Sequence, residues 1–291
     1  SLAARKIFNR AMLAQAQDLE GFRAVLEHRT DYVALVDAMM SKQRFTLPAS
    51  ANFWTLHEKR HEPGNGQRIN EALAALEEAN GAKLRGVFQD ISFNTDKLGE
   101  EKQKNTLLRL LLEDFAKDSL NLSLSRVGSL DIIGNAYEYL IGKFAADAGR
   151  KAGEYYTPPE VSELLARLLD PQSGDLICDP ACGSASLLMK CGRRVFQNTG
   201  KKDYALFGQE SIGSTWSLAK MNMFLHGVDD AKIWQGDTLS NPQNLENDQL
   251  MKFQVVVANP PFSLDKWDSG FLSNAGLDEK GRKQEKMTAA L

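Results

Sequence analysis

No apolar run in this 291-residue chain approaches the roughly 20 residues that a helix needs to cross a bilayer. Nothing around Ser1-Leu2-Ala3-Ala4-Arg5 resembles a signal peptide, and the missing initiator Met suggests a trimmed or partial start. Cysteine is scarce: Cys178, Cys182 and Cys191 crowd one segment, an odd number that offers no disulfide framework. A reducing cytosol is therefore the default expectation. Cys178 and Cys182 also lack the second ligand pair of a structural zinc site. Basic excess is absent too, with 35 Lys and Arg against 38 Asp and Glu for a net charge of −3. Proteins that grip nucleic acid unaided usually show such an excess. If this chain acts on DNA, a partner or a local patch must supply much of the phosphate contact.

What is present is ordinary globular composition, in a chain long enough for a compact domain and a second smaller one. Residues 1 to about 45 read as helical, with Ile7, Met12, Leu13 and then Tyr32, Leu35, Val36 and Met39 at three- and four-residue spacings. A loop punctuated by Pro48, Pro63, Gly64 and Gly66 follows. Helical patterns resume over 69–78, 107–115 and 132–144. In the last of these Ile133, Tyr137, Leu140, Ile141 and Phe144 form a stripe read as core packing. His57-Glu58-Lys59-Arg60-His61 fits the H-E-x-x-H pattern of zinc proteases, in which two His share a helix face. Gln67 stands where an extended version of that motif has its third His, and Pro63-Gly64 end the helix at once. A solvated helix end is the favoured reading, and no metal site is expected.

The small, glycine-bearing stretch 145–153 reads as a junction, giving a helical N-terminal domain over 1–149 and a second domain over 150–291. Thr157 with Glu160 has the spacing of a capping box, and Pro158 suits a first helical position. Beyond it, strands and helices alternate. Leu176-Ile177-Cys178 reads as a buried strand, Asp179 to Ser184 as a tight small-residue turn, and Ser186 as the start of a helix. Further strands are expected over 204–207, 231–234 and 253–258, with a helix at 214–226. That alternation marks an α/β fold with a parallel sheet. Ligands of such sheets lie at the C-terminal strand ends, where Asp179, Glu210, Asp237 and Asn259 all fall.

These positions carry a chemistry. Backbone N–H groups at the turn before Ser186 suit an anionic group, and Asp179 suits an ammonium or hydroxyl. Glu210 is placed for the two hydroxyls of a ribose, and Asp237 for an exocyclic amine such as that of adenine. Asn259-Pro260-Pro261-Phe262 is the most specific feature. The Asn side-chain oxygen and the Pro260 carbonyl can converge on one –NH2 group. They would favour positive charge on that nitrogen as it attacks an electrophilic methyl. Phe262 offers a face on which a flat base can stack.

In this order, residues 154–262 resemble an S-adenosylmethionine-dependent adenine-N6 DNA methyltransferase of the amino-methyltransferase group. Asn135-Ala136-Tyr137-Glu138-Tyr139-Leu140, leading to Gly153-Glu154-Tyr155-Tyr156-Thr157-Pro158, resembles more narrowly the modification subunit of type I restriction–modification systems. The resemblance implies a Rossmann-like methyltransferase sheet, incomplete at the C-terminus, preceded by a mostly α-helical N-terminal domain. It implies S-adenosylmethionine contacts from Glu154, Tyr155, Tyr156, Thr157, Pro158 and Pro159, from Asp179, Gly183, Ser184, Ala185 and Ser186, and from Glu210 and Asp237. Asn259, Pro260, Pro261 and Phe262 would serve a base flipped from the duplex. Ala185 and Ser186 stand where the family commonly has glycine; both are small, so the turn is expected to survive. The implied partners are double-stranded DNA, a specificity subunit, a second modification subunit and a restriction subunit. The implied compartment is the cytoplasm of a bacterium or archaeon, with no membrane.

Three other readings stay open on sequence. N-P-P followed by an aromatic also occurs in enzymes that methylate a glutamine side-chain amide. His57 and His61 would serve a zinc hydrolase, and a non-catalytic assembly subunit would bind cofactor alone.

Overall fold

The computed structural model describes residues 44–122, 124–128, 130–148 and 157–261. The helical pattern expected before residue 44, the segment Glu154-Tyr155-Tyr156, and Phe262 lie outside the described residues. Contacts divide the chain into two compact units, Ser1–Val127 and Gly128–Leu291. Among the described residues no helix is long and apolar enough to cross a membrane.

The first unit is helical. Its main elements are α1 (Phe53–Glu58), α2 (Asn65–Ala79) and α3 (Glu101–Phe115). Helix α2 begins four residues before its apolar periodicity does, because Asn65 is buried and fully engaged. Its side-chain amide donates to Arg60 O at 2.8 Å, its Oδ1 accepts from Arg68 at 2.8 Å, and its backbone N–H donates to Asn105 Oδ1 at 2.9 Å. Helix α3 likewise starts early, on a capping box between Glu100 and Gln103 that satisfies two end N–H groups. Ile69 and Ala72 on α2 and Leu108 and Leu112 on α3 are buried where the two helices pack.

The second unit contains α4 (Leu130–Ala148), α5 (Pro159–Leu169), β1 (Leu176–Asp179), α6 (Ser186–Thr199), β2 (Ala205–Glu210), α7 (Gly213–Leu225) and β3 (Lys232–Gln235). A small hairpin of β4 (Leu245–Glu246) and β5 (Gln249–Leu250) follows, and then β6 (Val255–Val256). The main sheet runs β3-β2-β1-β6, all parallel. Helix α6 packs on β1 and β2, touches α7 and lies along α5, so these three helices form one layer. Leu187, Leu188, Cys191 and Val195 of α6 are buried, whereas Leu164 and Leu168 of α5 are exposed and Ser162 and Ala166 face inward. Helix α4 packs on α7 along a narrow seam in which a Cβ at Gly134 would lie 2.5 Å from the His226 ring. That narrowness corrects the stripe expected there: Ile141 is buried, but Leu140 is exposed. The Phe144 side chain lies outside the described residues.

Two elements depart from their sequence patterns. The strand expected over 253–258 is only two residues long by pairing. Val255 and Val256 pair with Ile177 and Cys178 of the four-residue β1. Ahead of them the Gln254 side chain, not a backbone carbonyl, accepts from Leu176 N–H at 2.9 Å. Beyond them Val257 N–H still reaches Cys178 O at 2.9 Å, and then Pro260 and Pro261 have no N–H to offer. The β4–β5 hairpin has no counterpart in the sequence reading. Its turn, Asn247-Asp248, has both residues at positive φ, which suits the twist of a two-residue hairpin.

Gly208 sits mid-strand in β2, where an added Cβ would lie 2.9 Å from Ile233 Cδ1, 3.0 Å from Cys182 Sγ and 3.2 Å from Cys182 Cβ. The isoleucine tip can give; the Cys182 Cβ, fixed to the turn after β1, cannot. Gly208→Ala is expected to cost about 1–3 kcal/mol by overpacking, read as a lower urea midpoint with unchanged slope. A midpoint equal to wild type would show that the turn yields freely.

Candidate active site

Strand β1 lies between β2 and β6, so the chain leaves it on one side and returns on the other. Crevices at such switch points, beyond the carboxyl ends of the strands, are where sheets of this kind hold ligands. The turn after β1 fills this place. Ala181 N–H donates to Asp179 Oδ1 at 3.0 Å, and Cys182 N–H reaches across to Gln209 O of β2 at 3.0 Å. Gly183, at φ 53°, points its N–H at Glu210 Oε2, 3.0 Å away. Ala185 takes φ 62°, the left-handed region in which a Cβ costs on the order of 1 kcal/mol. A buried polar cluster holds it there. The Asn222 amide of α7 donates to Ser184 O at 2.9 Å and to Ser186 Oγ at 3.4 Å, and the Ser184 and Ser186 hydroxyls are 3.1 Å apart. The turn thus keeps a glycine-like shape without those glycines.

Two carboxylates are buried beside it. Asp179 is 2% exposed, and its carboxyl is pushed up to about 7 by burial; the Ala181 bond opposes this and the charge of Glu210 adds to it. Glu210 is also raised by burial, against the pull of its hydrogen bonds. Its Oε2 accepts from Gly183 N–H, and its Oε1 from Ile212 N–H at 2.8 Å and Ser211 Oγ at 3.4 Å. The side chain is thereby fixed at the end of β2. The three thiols nearby are buried, and burial raises each, Cys178 and Cys191 to about 12, so none is a ready nucleophile.

Asp237, just past β3, is exposed, and its Oδ1 accepts from Leu239 N–H at 2.8 Å. It shapes the loop it begins. Two residues tie that loop to the crevice. Buried Gln209 donates to Gly236 O and Asn241 O and accepts from Gln243 N–H, and the Thr238 hydroxyl donates to Pro180 O.

Asn259 follows β6, and its amide Nδ2 donates to Thr157 Oγ1 at 3.3 Å across 102 residues of sequence. This corrects the expected capping box at Thr157. The cap is Pro158, at φ −52° and ψ 141°, with Pro159 as the first helical residue and no side-chain cap bond. Each proline drives the residue before it out of the helical region, so Thr157 stays extended and outside the helix. The structure therefore brings together Asp179, Gly183, Ser184, Ala185, Ser186 and Glu210 at one turn, and Thr157 with Asn259 at the neighbouring strand end. Sequence reasoning missed Asn222, Gln209 and Thr238. Asn222 gave no local signal, since the helix that carries it buries residues on several faces, Trp216, Ala219, Met223 and Phe224 among them.

The H-E-x-x-H stretch lies elsewhere, in the helical unit. Helix α1 ends at Glu58 and Lys59 caps it, so His61 is beyond the helix and does not share a face with His57. The His57 ring instead stacks on Phe53 with centroids 6.1 Å apart. Among the described residues no group of three His, Cys, Asp or Glu could hold a metal ion. A cavity of about 470 Å³ in the same unit, lined by Asn70, Leu73, Glu77, Arg85 and Phe88 among others, holds none of the expected site residues.

Residues 128–289 match the N-6 DNA Methylase family, and residues 10–115 match the HsdM N-terminal domain family. The methylase subunit of the type I restriction enzyme HindI of Haemophilus influenzae is 33% identical over 210 residues, 70% of this chain and 45% of that protein. That of MpnII of Mycoplasma pneumoniae is 33% identical over 270 residues, 84% of this chain and 48% of that protein. The chain spans about half the length of the curated relatives it matches. The crystal structure of a type I restriction-modification methyltransferase subunit from Streptococcus thermophilus is similar with a TM-score of 0.67. It is 26% identical, over 90% of this chain and 57% of that one. The N-6 DNA Methylase match covers more than half of the sequence, and the chain belongs to that family.

Proposed function

We propose that this chain is the modification subunit of a type I restriction–modification complex and transfers a methyl group from S-adenosylmethionine to adenine N6 in duplex DNA. The observation that carries the reading is Asn259-Pro260-Pro261, set at the end of β6 next to the turn of β1 with its two buried carboxylates. Asn259 Oδ1 and the Pro260 carbonyl accept from the adenine amine, Pro261 stiffens the loop, and Phe262 stacks on the extruded base. S-adenosylmethionine, when bound, would supply an electrophilic methyl on a sulfonium; N6 would take that methyl as the S–C bond electrons stay on sulfur, and would release one proton to solvent. The residues present fit such a group. Asp179 is buried with a single hydrogen bond among the described residues, which leaves acceptor capacity for an ammonium. Glu210 is held by two backbone N–H groups in one orientation, ready for a pair of ribose hydroxyls. Glu154 through Pro159, Gly183 through Ser186 and Asp237 complete the proposed cofactor contacts. We assign the catalytic part to the unit that begins at Gly128, where the family match also begins.

A net charge of −3 supports a division of labour in which other chains hold much of the DNA. The proposed partners are a specificity subunit and a second modification subunit, with a restriction subunit in the full assembly, in a bacterial or archaeal cytoplasm. The test uses the full-length protein, methyl-labelled S-adenosylmethionine and duplex DNA, with and without the specificity subunit encoded beside it. Label is expected in N6-methyladenine, and only with the partner. Label in protein glutamine would replace the reading with the amide-methylating one. Cofactor binding without any transfer would leave an assembly role.

A further inference from the structure

We propose that Thr157 is a positioning residue that decides which end of the Asn259 amide faces the substrate amine, an inference that rests on the methyltransferase reading above. A carboxamide has one acceptor end and one donor end. To hold an –NH2 group by its hydrogens, Asn259 must present Oδ1; presenting Nδ2 would set donors against donors. Thr157 Oγ1 accepts from Nδ2 at 3.3 Å, so the donor end is turned toward the start of α5 and the acceptor end is left for the substrate.

Both partners stand on fixed backbone. Thr157 precedes two prolines and Asn259 precedes another two, and each proline narrows the conformations of the residue before it. Asn259 is also tethered two residues earlier, where Val257 N–H reaches Cys178 O at 2.9 Å. Among the described residues no helix amide donates to the Thr157 hydroxyl, because α5 begins at Pro159, two residues past it. A hydroxyl that accepts from Asn259 directs its own proton elsewhere. In the flipped amide Thr157 would have to donate to Oδ1, and Nδ2 would then face the substrate amine, donor against donor.

The test compares wild type, Thr157→Val and Thr157→Ser as full-length protein assembled with the specificity subunit. Three quantities are read: single-turnover methylation at saturating S-adenosylmethionine, affinity for S-adenosylhomocysteine by calorimetry, and fluorescence of 2-aminopurine at the target position. Thr157→Val is expected to slow the methyl-transfer step by about 30- to 100-fold while 2-aminopurine still brightens on binding. Thr157→Ser, which keeps the hydroxyl, is expected to stay within about threefold of wild type. A valine variant with the wild-type rate at saturating cofactor would overturn the proposal. So would a loss confined to cofactor affinity, which would make Thr157 a cofactor contact and nothing more. Failure of the underlying reading looks different, since the wild-type assembly itself would then form no N6-methyladenine, and the proposal would fall with it.

Discussion

Asn259→Ala is expected to lower the rate of methyl transfer to adenine by on the order of 10²- to 10³-fold, with affinity for S-adenosylhomocysteine within about threefold of wild type. The reasoning is electrostatic. As N6 forms its bond to carbon it gains positive charge, and an acceptor aimed at its hydrogens is worth most at that moment. Two acceptors are proposed for that amine, and alanine removes the one that a side chain supplies. The backbone that carries the other is anchored independently by Val257 on Cys178 and by Gln254 on Leu176, so the loop is expected to hold its course. Asn259 is also only half-buried, which makes truncation safe for the fold. Single-turnover kinetics with labelled cofactor measures the effect. A variant that loses cofactor affinity in step with rate would show that Asn259 supports the crevice and not the chemistry.

The second large effect belongs to Asp179. Its carboxyl is pushed up to about 7 by burial, from an ordinary value of 3.8. Between those two values the folded chain keeps a proton that the unfolded chain has lost. The contribution of Asp179 to stability is therefore greatest on the acid side, declines as pH rises from about 4 to about 7, and levels off above that, a change on the order of 4 kcal/mol. Glu210, raised in the same direction, adds to the same slope. Asp179→Asn keeps an oxygen for the Ala181 N–H and never ionises. The difference between wild-type and variant unfolding free energies is expected to grow with pH across that window and then stay flat. Cofactor binding should run the other way, because a ligand ammonium pairs only with the ionised carboxyl. Affinity of the wild type is expected to rise as pH passes 6 to 8, while the variant binds on the order of 100-fold more weakly at pH 8 and shows no such rise. Calorimetry at three pH values suffices. Equal pH dependence in both proteins would mean that another group sets it.

Much of this architecture was readable in advance for a physical reason. Strands β1, β2 and β3 are short, each carries an apolar stretch (Leu176-Ile177-Cys178, Ala205-Leu206-Phe207 and Ile233-Trp234), and an acidic residue ends or soon follows each, so local pattern and tertiary role agree. The strand-end residues Asp179, Glu210, Asp237 and Asn259 could be placed because a parallel sheet puts all its carboxyl ends on one edge. What could not be read depends on partners distant in sequence. Thr157 has the spacing of a capping residue, yet the two prolines after it and an amide 102 residues away decide its use. The run of valines in β6 pairs over only two residues, because the Gln254 side chain and not a backbone carbonyl takes Leu176 N–H. Asn222 looks like an ordinary helix residue until α7 is laid against the turn it supports. His57 and His61 show the converse: a matching pattern of letters has no meaning once the helix stops between them.

The strand order also fixes a sequence of events in time. A ribosome releases this chain from its N-terminus, and β1, β2 and β3 emerge in the order in which they pair, with Asn222 following soon after the turn it braces. Every residue whose described contact shapes the turn around Gly183 and Glu210 thus leaves the ribosome before β6 does. The strand that brings Asn259 must then add to the far side of β1, and the bond to Thr157 closes across 102 residues, the longest closure in the site. A nascent chain accordingly holds every residue of that turn before it holds Asn259.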